Sequence, residues 1–306
     1  MNYFLYIELT DVNEFSKSYF QLVVSPLVLL ILFHHRSLIK EDLNFILITS
    51  LLITSFFVFL QLFEQFILGS TNLWFLFDSI SISTAQDSGR FEAVNLFNFI
   101  RPIGQYHEPS YLGLIGFLFF VVNDVSGLKN KLINFMALFI IFLSLSITVW
   151  LFFLVYAFLE KLKTSSLLFL VFFIIIFSLY FDIFTFLRLS EITQAGTSGW
   201  YRIMRPFEEF LYVIYNYPTG IPMGNTRFIF DNSFFLMACY LGFFSFPILF
   251  VLSILLVSNK IDKRVFLFIL TTMFVNGAII TIESFLLIGF LLSTLENNTF
   301  KETLKI

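Results

Sequence analysis

LINFMALFIIFLSLSITVWLFFLVYAFL, residues 132–159, contains no charged side chain and is interrupted by the polar pair of Ser144-Leu145-Ser146. About 20 apolar residues cross a ~30 Å hydrocarbon core as a helix. This run is longer, so it reads either as one tilted helix or as two shorter helices joined by a tight turn at 144–146. The split is preferred because every later loop then satisfies the positive-inside rule. Comparable runs lie at Leu167–Leu187, Ser233–Val257 and Val265–Leu295, the last with a second break near Glu283. Spans are placed at 19–33, 43–63, 108–122, 132–146, 147–159, 167–187, 232–257, 265–281 and 284–295. The expected fold class is all-α: a polytopic transmembrane helix bundle of about nine spans, within a range of about eight to ten, forming one integral membrane domain over 1–306.

Composition points the same way. Of 306 residues, 58% are hydrophobic and 13% charged, the mean hydropathy is +0.89 and the net charge is −3. A soluble domain carries about a quarter charged residues. An outer-membrane barrel is excluded, because its strands need alternating apolar and polar residues. Phe occurs 47 times, which suits bilayer insertion and a bacterial, A+T-rich source. The single cysteine, Cys239, rules out an intrachain disulfide. Glu8, Asp11 and Glu14 near the start are unlike the basic opening of a cleavable signal peptide. Nothing here predicts a nucleic-acid partner.

The cations divide by type. Arg36, Lys40, Lys129, Lys131, Lys161, Lys163, Lys260, Lys263, Arg264, Lys301 and Lys305 fall on one side, predicted to be cytoplasmic. The opposite side holds the N-terminus and two large extracytoplasmic loops, 64–107 and 188–231. Of the 18 basic residues, the lysines other than Lys17 are all cytoplasmic, whereas Arg90, Arg101, Arg188, Arg202, Arg205 and Arg227 are outside. Arginine differs from lysine in its permanent charge and flat, five-donor fork, which suits bidentate phosphate or carboxylate recognition. The alternative is that these arginines pair with Glu92, Glu108, Glu191, Glu208 or Glu209 and knit the loops. In either case permanent cations gather at the outer membrane surface, where an anionic, lipid-linked substrate is the natural partner.

The first loop ends in Arg101-Pro102-Ile103-Gly104-Gln105-Tyr106-His107-Glu108-Pro109-Ser110-Tyr111-Leu112-Gly113. Pro109 suits a first helical turn. Glu108 then lies at a helix N-terminus, either as a cap or as a carboxylate that accepts a proton from a sugar hydroxyl. His107 reads as general base, phosphate donor or interface residue. The second loop contains Gly199-Trp200-Tyr201-Arg202-Ile203-Met204-Arg205-Pro206, then Pro218-Thr219-Gly220-Ile221-Pro222-Met223-Gly224. If 200–216 is one helix, Arg202 and Arg205 share a face and Arg205–Glu209 is an intrahelical pair. If the helix starts at Pro206, both arginines precede its N-terminus. The segment around Gly220 and Gly224 must turn sharply, presenting backbone amides. Tyr106, Trp200 and Tyr201 are candidates to stack on sugar, or they belong to an interfacial aromatic belt.

The Arg101…His107-Glu108-Pro109-Ser110-Tyr111-Leu112-Gly113 stretch resembles the R-x-x-G-x-F-x-E-P-S-x-x-G signature of O-antigen polymerases (Wzy) and related capsule and exopolysaccharide polymerases. The second loop is similar to their later arginine-bearing loop, and Asp231-Asn232-Ser233 with Tyr240-Leu241-Gly242 to their segment opening the next span. The resemblance covers roughly 90–245. It implies an enzyme of the bacterial inner membrane that takes undecaprenyl-pyrophosphate-linked oligosaccharide units at the outer face. The growing glycan is transferred from its lipid pyrophosphate onto a sugar hydroxyl of the next unit. By position, Arg101 and Arg202 or Arg205 would hold the pyrophosphate, with Arg90 nearby, and Glu108 or His107 would act as base. The picture needs no metal and no cofactor. Its partners are the lipid-linked oligosaccharide, membrane lipid, a flippase and a chain-length regulator. An O-antigen ligase shares scaffold and donor. A transporter of an anionic solute should show internal repeats and mid-membrane ionisable residues, whereas Asp182 and Glu283 fall near span ends.

The topology makes a direct prediction. In a Cys239→Ser background, cysteines placed at 101 and 202 should both react with a membrane-impermeant thiol reagent added outside the cell. Labelling from opposite sides would exclude a pyrophosphate pocket shared by the two arginines.

Overall fold

The computed structural model describes residues 12–69, 102, 109–159, 194–195, 198–222, 232–257, 262–275 and 282–295. These residues are mostly helical, and none is in a strand. The helices are α1 (Val12–His34), α2 (Arg36–Glu41), α3 (Leu43–Phe63), α4 (Pro109–Val125), α5 (Lys131–Ser144) and α6 (Ile147–Leu159). They continue with α7 (Ser198–Arg202), α8 (Met204–Asn216), α9 (Ser233–Leu241), α10 (Ser245–Val257), α11 (Lys263–Val275) and α12 (Ile282–Thr294). A π-helical turn, Glu64–Leu68, extends α3, and a 3₁₀ turn, Gly242–Phe244, joins α9 to α10.

Two helical stretches are long and apolar enough to cross a membrane, Leu43–Leu68 with 26 residues and Ser233–Val251 with 19. Pro109–Val125, Lys131–Ser144, Thr148–Ala157 and Ser284–Thr294 are shorter apolar helices. Helix covers 43–63 and 147–159, as the apolar runs predict; the expected span at 167–187 lies outside the described residues. The helical path runs past 63 to Leu68 because the terminating residue, Gly69 in the left-handed region (φ +63°), comes later than the apolar run suggests. At the other predicted break Glu283 sits in the first turn of α12, and residues 276–281 before it lie outside the described residues.

The chain forms two compact units, divided between Lys40 and Glu41 and again between Leu189 and Ser190. The unit made of α3–α6 is built on α4, whose side chains are nearly all buried. Gly113 and Gly116 let α5 come close. A Cβ on Gly116 would sit 3.0 Å from both the Ala137 carbonyl oxygen and Ile141 Cγ1, and one on Gly113 would sit 2.5 Å from Ser144 Oγ. Small residues are how helices approach where no water drives them together. At the other end of the pair, Asn123 is fully buried and donates to the Asn130 carbonyl (3.0 Å) and to Asn134 Oδ1 (2.7 Å) while accepting from the Asn130 amide (3.1 Å). Asn130 caps α5 through the Leu132 amide and donates to Asn44 Oδ1 on α3 (3.0 Å). Phe117 and Phe120 of α4 meet Phe153 and Tyr156 of α6 edge to face, and the Tyr156 hydroxyl donates to Asp124.

The break at 144–146 is a real turn. Leu145 adopts a left-handed conformation (φ +45°), which a residue with a Cβ takes at a cost of ~1–2 kcal/mol. Ser144 Oγ donates to the Ile141 carbonyl (2.7 Å) and accepts from the Ser146 amide (3.4 Å), so its hydroxyl replaces helical partners on both sides of the break.

On α3 the outward face is as apolar as the buried one, and Thr54, Gln61 and Glu64 are on the buried face. Leu43, Leu47, Leu51, Thr54, Val58, Gln61 and Glu64 form the buried face, while Phe45, Leu52, Phe56, Phe59, Phe63 and Phe66 are exposed. Large apolar groups outward and polar groups inward is the arrangement that a lipid surround favours.

In the other unit α1 pairs with α12, and Lys40 Nζ donates to the Leu295 carbonyl at the end of α12. Thr271, Thr272, Ser293 and Thr294 return their hydroxyls to carbonyls three or four residues back in their own helices, at 2.7–3.0 Å, so each buried hydroxyl is satisfied without a second element. Asp262 caps α11 through the Arg264 amide (2.8 Å) and also holds the Arg264 guanidinium (2.8 Å).

A larger side chain at the α4–α5 crossing should separate the helices. Gly116→Leu is expected to cost about 2 kcal/mol or more, seen as a lower thermal midpoint of the detergent-solubilised protein; an unchanged midpoint would mean the crossing tolerates expansion.

Candidate functional site

The described part of the second large loop is a helical segment docked along α9. α8 starts and ends level with it. At the start, Asn232 is the N-cap of α9: its Oδ1 accepts from the Phe234 and Phe235 amides (2.9 and 3.4 Å), and its Nδ2 donates to the Arg202 carbonyl (2.8 Å). One fully buried amide therefore closes a helix N-terminus and ties the arginine-bearing segment to it. Between the two ends, Phe210 and Val213 of α8 pack with Ile221, Ala238 and Cys239 in a buried cluster.

At the far end, α9 stops at Gly242 (φ +56°). In an unbroken helix the Phe243 amide would donate to the Cys239 carbonyl. Here the Phe243 amide donates to the Pro218 carbonyl (2.9 Å), and the Cys239 carbonyl accepts from the Ile221 amide (3.0 Å). The turn at 218–221 thus supplies both halves of a missing helical hydrogen bond. The turn itself is closed by the Gly220 amide donating to the Tyr217 carbonyl (2.8 Å), and Gly220 lies at φ +88°. A Cβ on Gly220 would collide with the Tyr240 carbonyl and stand 2.7 Å from that of Cys239; one on Gly242 would collide with the Pro218 carbonyl and the Gly220 amide nitrogen. Only glycine fits at either place. Residues 232–257, expected as one uninterrupted span, are consequently two helices with a joint between them.

The arginines are arranged differently from both sequence alternatives. α7 ends at Arg202, Ile203 is non-helical (φ −123°, ψ −65°), and α8 begins at Met204 with Pro206 in its first turn, where proline loses nothing. Arg202 and Arg205 therefore do not share one continuous helix, and the helix does not wait for Pro206. Arg205 Nε pairs with Glu209 Oε1 at 2.9 Å, the intrahelical pair anticipated as one option. Its guanidinium also lies over Tyr201 (5.1 Å to the ring centre) and Trp200 (5.9 Å), whose rings meet edge to face. Cation, carboxylate and two rings form one cluster, so Trp200 and Tyr201 are engaged in holding a guanidinium in place. The charge of Arg205 is met by Glu209, so the cluster is an ion pair seated on an aromatic surface.

Of the residues singled out in sequence, Trp200, Tyr201, Arg202 and Arg205 lie together at the α7–α8 junction, and Gly220 lies at the far end of α8. Arg90, Arg101, Tyr106, His107, Glu108 and Gly224 lie outside the described residues. Among the described residues, no group of three or more His, Cys, Asp or Glu is placed to hold a metal ion. The partnership of Gly220 with Gly242 has no signal in the sequence: Gly220 lies in a Pro-Thr-Gly turn and Gly242 follows Leu241 at the end of an apolar helix, and their proximity depends on a register between separate segments. No family model matches the chain, and no characterised protein or solved structure is significantly similar to it.

Because Gly220 and Gly242 serve one joint, their substitutions should not add. Gly220→Ala and Gly242→Ala are each expected to cost about 2 kcal/mol, and the double variant clearly less than the sum. A double-mutant cycle on thermal midpoints measures this; strict additivity would mean that the joint does not act as a unit.

Proposed function

We propose that the chain is a polysaccharide polymerase of the bacterial inner membrane, a multi-pass bundle of about nine spans. It joins undecaprenyl-pyrophosphate-linked oligosaccharide units at the outer membrane face. The observation that carries the reading is the sequence pattern of the cations: every lysine but Lys17 falls in segments predicted to be cytoplasmic, and every arginine but Arg36 and Arg264 in the two predicted outer loops. The docking of α7 and α8 gives the second of these loops a physical basis. Asn232 ties the Arg202 carbonyl to the start of Ser233–Val251, a helical stretch long enough to cross a membrane, and the Gly220–Gly242 joint fixes the far end of α8. Arginines fixed beside a span are held ready for a lipid headgroup, without the ordering cost that a free loop would bear on binding.

In this reading guanidinium groups bind the lipid pyrophosphate and stabilise the charge that grows on it as the sugar–phosphate bond breaks, with no metal needed. Arg101 serves from the first loop and Arg202 or Arg205 from the second, with Arg90 near them. A carboxylate takes the proton of the attacking sugar hydroxyl; the sequence motif points to Glu108, with His107 beside it. The ring pair Trp200 and Tyr201 steadies Arg205 and offers a face to sugar.

Deleting the gene separates the alternatives. Loss of a polymerase leaves glycans of a single repeat unit, and loss of a ligase leaves unattached long chains. Within the polymerase reading, Arg101→Lys and Arg202→Lys keep the charge and lose the fork, so both are expected to shorten the polymer on a glycan gel. Normal chain length in both would remove bidentate phosphate binding from the mechanism.

A further inference from the structure

The unit made of α3–α6 buries a carboxylate that the proposed function does not yet use. The hydrogen bond between Asn130 and Asn44 (3.0 Å) sets the starts of α5 and α3 at one level, and the two helices pack together, so they rise in the same direction. α5 ends at Ser144, whereas α3 continues through Gln61 and Glu64 to Leu68. At 1.5 Å per residue, Glu64 stands ~9 Å beyond the tip of the α5–α6 hairpin. α4 runs the opposite way beside them: Gly116 lies against Ala137 and Ile141, and Gly113 against Ser144 and Val149. Gly113 is therefore level with the hairpin tip, and the buried residues Pro109 and Ser110 lie above it.

The buried face of α3 changes character at that level. Below it stand Leu47, Leu51 and Val58 with Thr54; above it stand Gln61 and Glu64, at 1% and 3% exposure. Buried amides can knit helices, as Asn123 and Asn130 do, whereas an ionisable carboxyl kept on a buried helix face is a functional candidate by default. The backbone agrees. Glu64 opens the π-helical turn, its carbonyl accepting from the Gly69 amide, and π turns recur at functional sites. The hairpin tip below it is non-helical backbone, tolerated within a membrane where it is enclosed by protein or lines a polar cavity. Among the described residues, Ser146 Oγ at the tip is buried and has no hydrogen-bond partner.

We infer that Glu64, standing on the polar end of α3 above the serine-bearing hairpin tip, is the carboxylate that takes the proton from the acceptor sugar hydroxyl. The inference rests on the polymerase reading and departs from the motif, which favours Glu108. As the hydroxyl oxygen bonds to the anomeric carbon, the O–H proton passes to Glu64. The bond from that carbon to the pyrophosphate oxygen breaks, and the electron pair leaves on the lipid pyrophosphate.

The test uses the full chain in a strain lacking its chromosomal copy and that strain's own lipid-linked repeat unit. Wild type, Glu64→Gln, Glu64→Asp and Glu108→Gln are compared for glycan length, membrane abundance and, in isolated membranes, kcat and KM. Glu64→Gln should stop at single units, losing ~100-fold or more in kcat with abundance and KM unchanged, while Glu64→Asp keeps an intermediate rate. The assignment is overturned if Glu64→Gln elongates normally and Glu108→Gln does not. It is equally overturned if Gln and Asp lower abundance alike, or if the loss lies in KM alone. Should wild type itself fail to restore polymer, the polymerase reading falls, which is a different result from a silent Glu64.

Discussion

Two backbone hydrogen bonds at Gly242 hold the candidate site in place. When α9 breaks, the Cys239 carbonyl and the Phe243 amide lose each other, and in an apolar setting each would carry the full cost of an unmet polar group. The turn at 218–221 meets both. The helix break and the turn are thus mutually required: neither is stable without the other, and glycine at 220 and 242 is the steric condition for their approach. Everything upstream follows, because a turn anchored at Gly242 and a carbonyl anchored at Asn232 fix both ends of α8, and with it the cluster of Arg205, Glu209, Trp200 and Tyr201.

The same constraint is met by other means elsewhere. Ser144 bridges the hairpin break with its hydroxyl, Thr271 and Thr272 return theirs to their own helix, and Asn123 and Asn130 close a loop with side-chain amides. Most of these solutions are local in sequence; the Asn130–Asn44 bond, 86 residues apart, and the pair at Gly242 are not. The local ones stabilise single helices or hairpins, and the pair at Gly242 joins two segments at the candidate site.

This difference explains what could be read from the chain alone. Helices at 43–63 and 147–159 and the turn at 144–146 were legible, since apolar run length and a serine pair are local signals. The capping role of Asn232 follows a familiar pattern, polar residue before an apolar helix. The break at Ile203 was not legible, because Pro206 is compatible with any position in a first turn and propensity does not choose among them. Nor was the joint at Gly242, which needs the register of α8 against α9. The burial of Glu64 was hidden for a further reason. In sequence it looks like the first residue of an outer loop, and only a π-helical continuation to Leu68 carries it back onto the helix. The arginine cluster was half legible: the Arg205–Glu209 pair follows from spacing, whereas the two rings beneath it depend on the break at 203.

The hairpin of α5 and α6 has a consequence for how the protein is made. α5 has 14 residues and α6 has 13, each well short of the length that crosses a bilayer. Under the multi-pass reading proposed above, neither is a finished span by itself. On that reading the two would enter lipid as a pair, folded back at Leu145 and leaning on α4, which makes the strained turn a requirement of insertion as well as of packing.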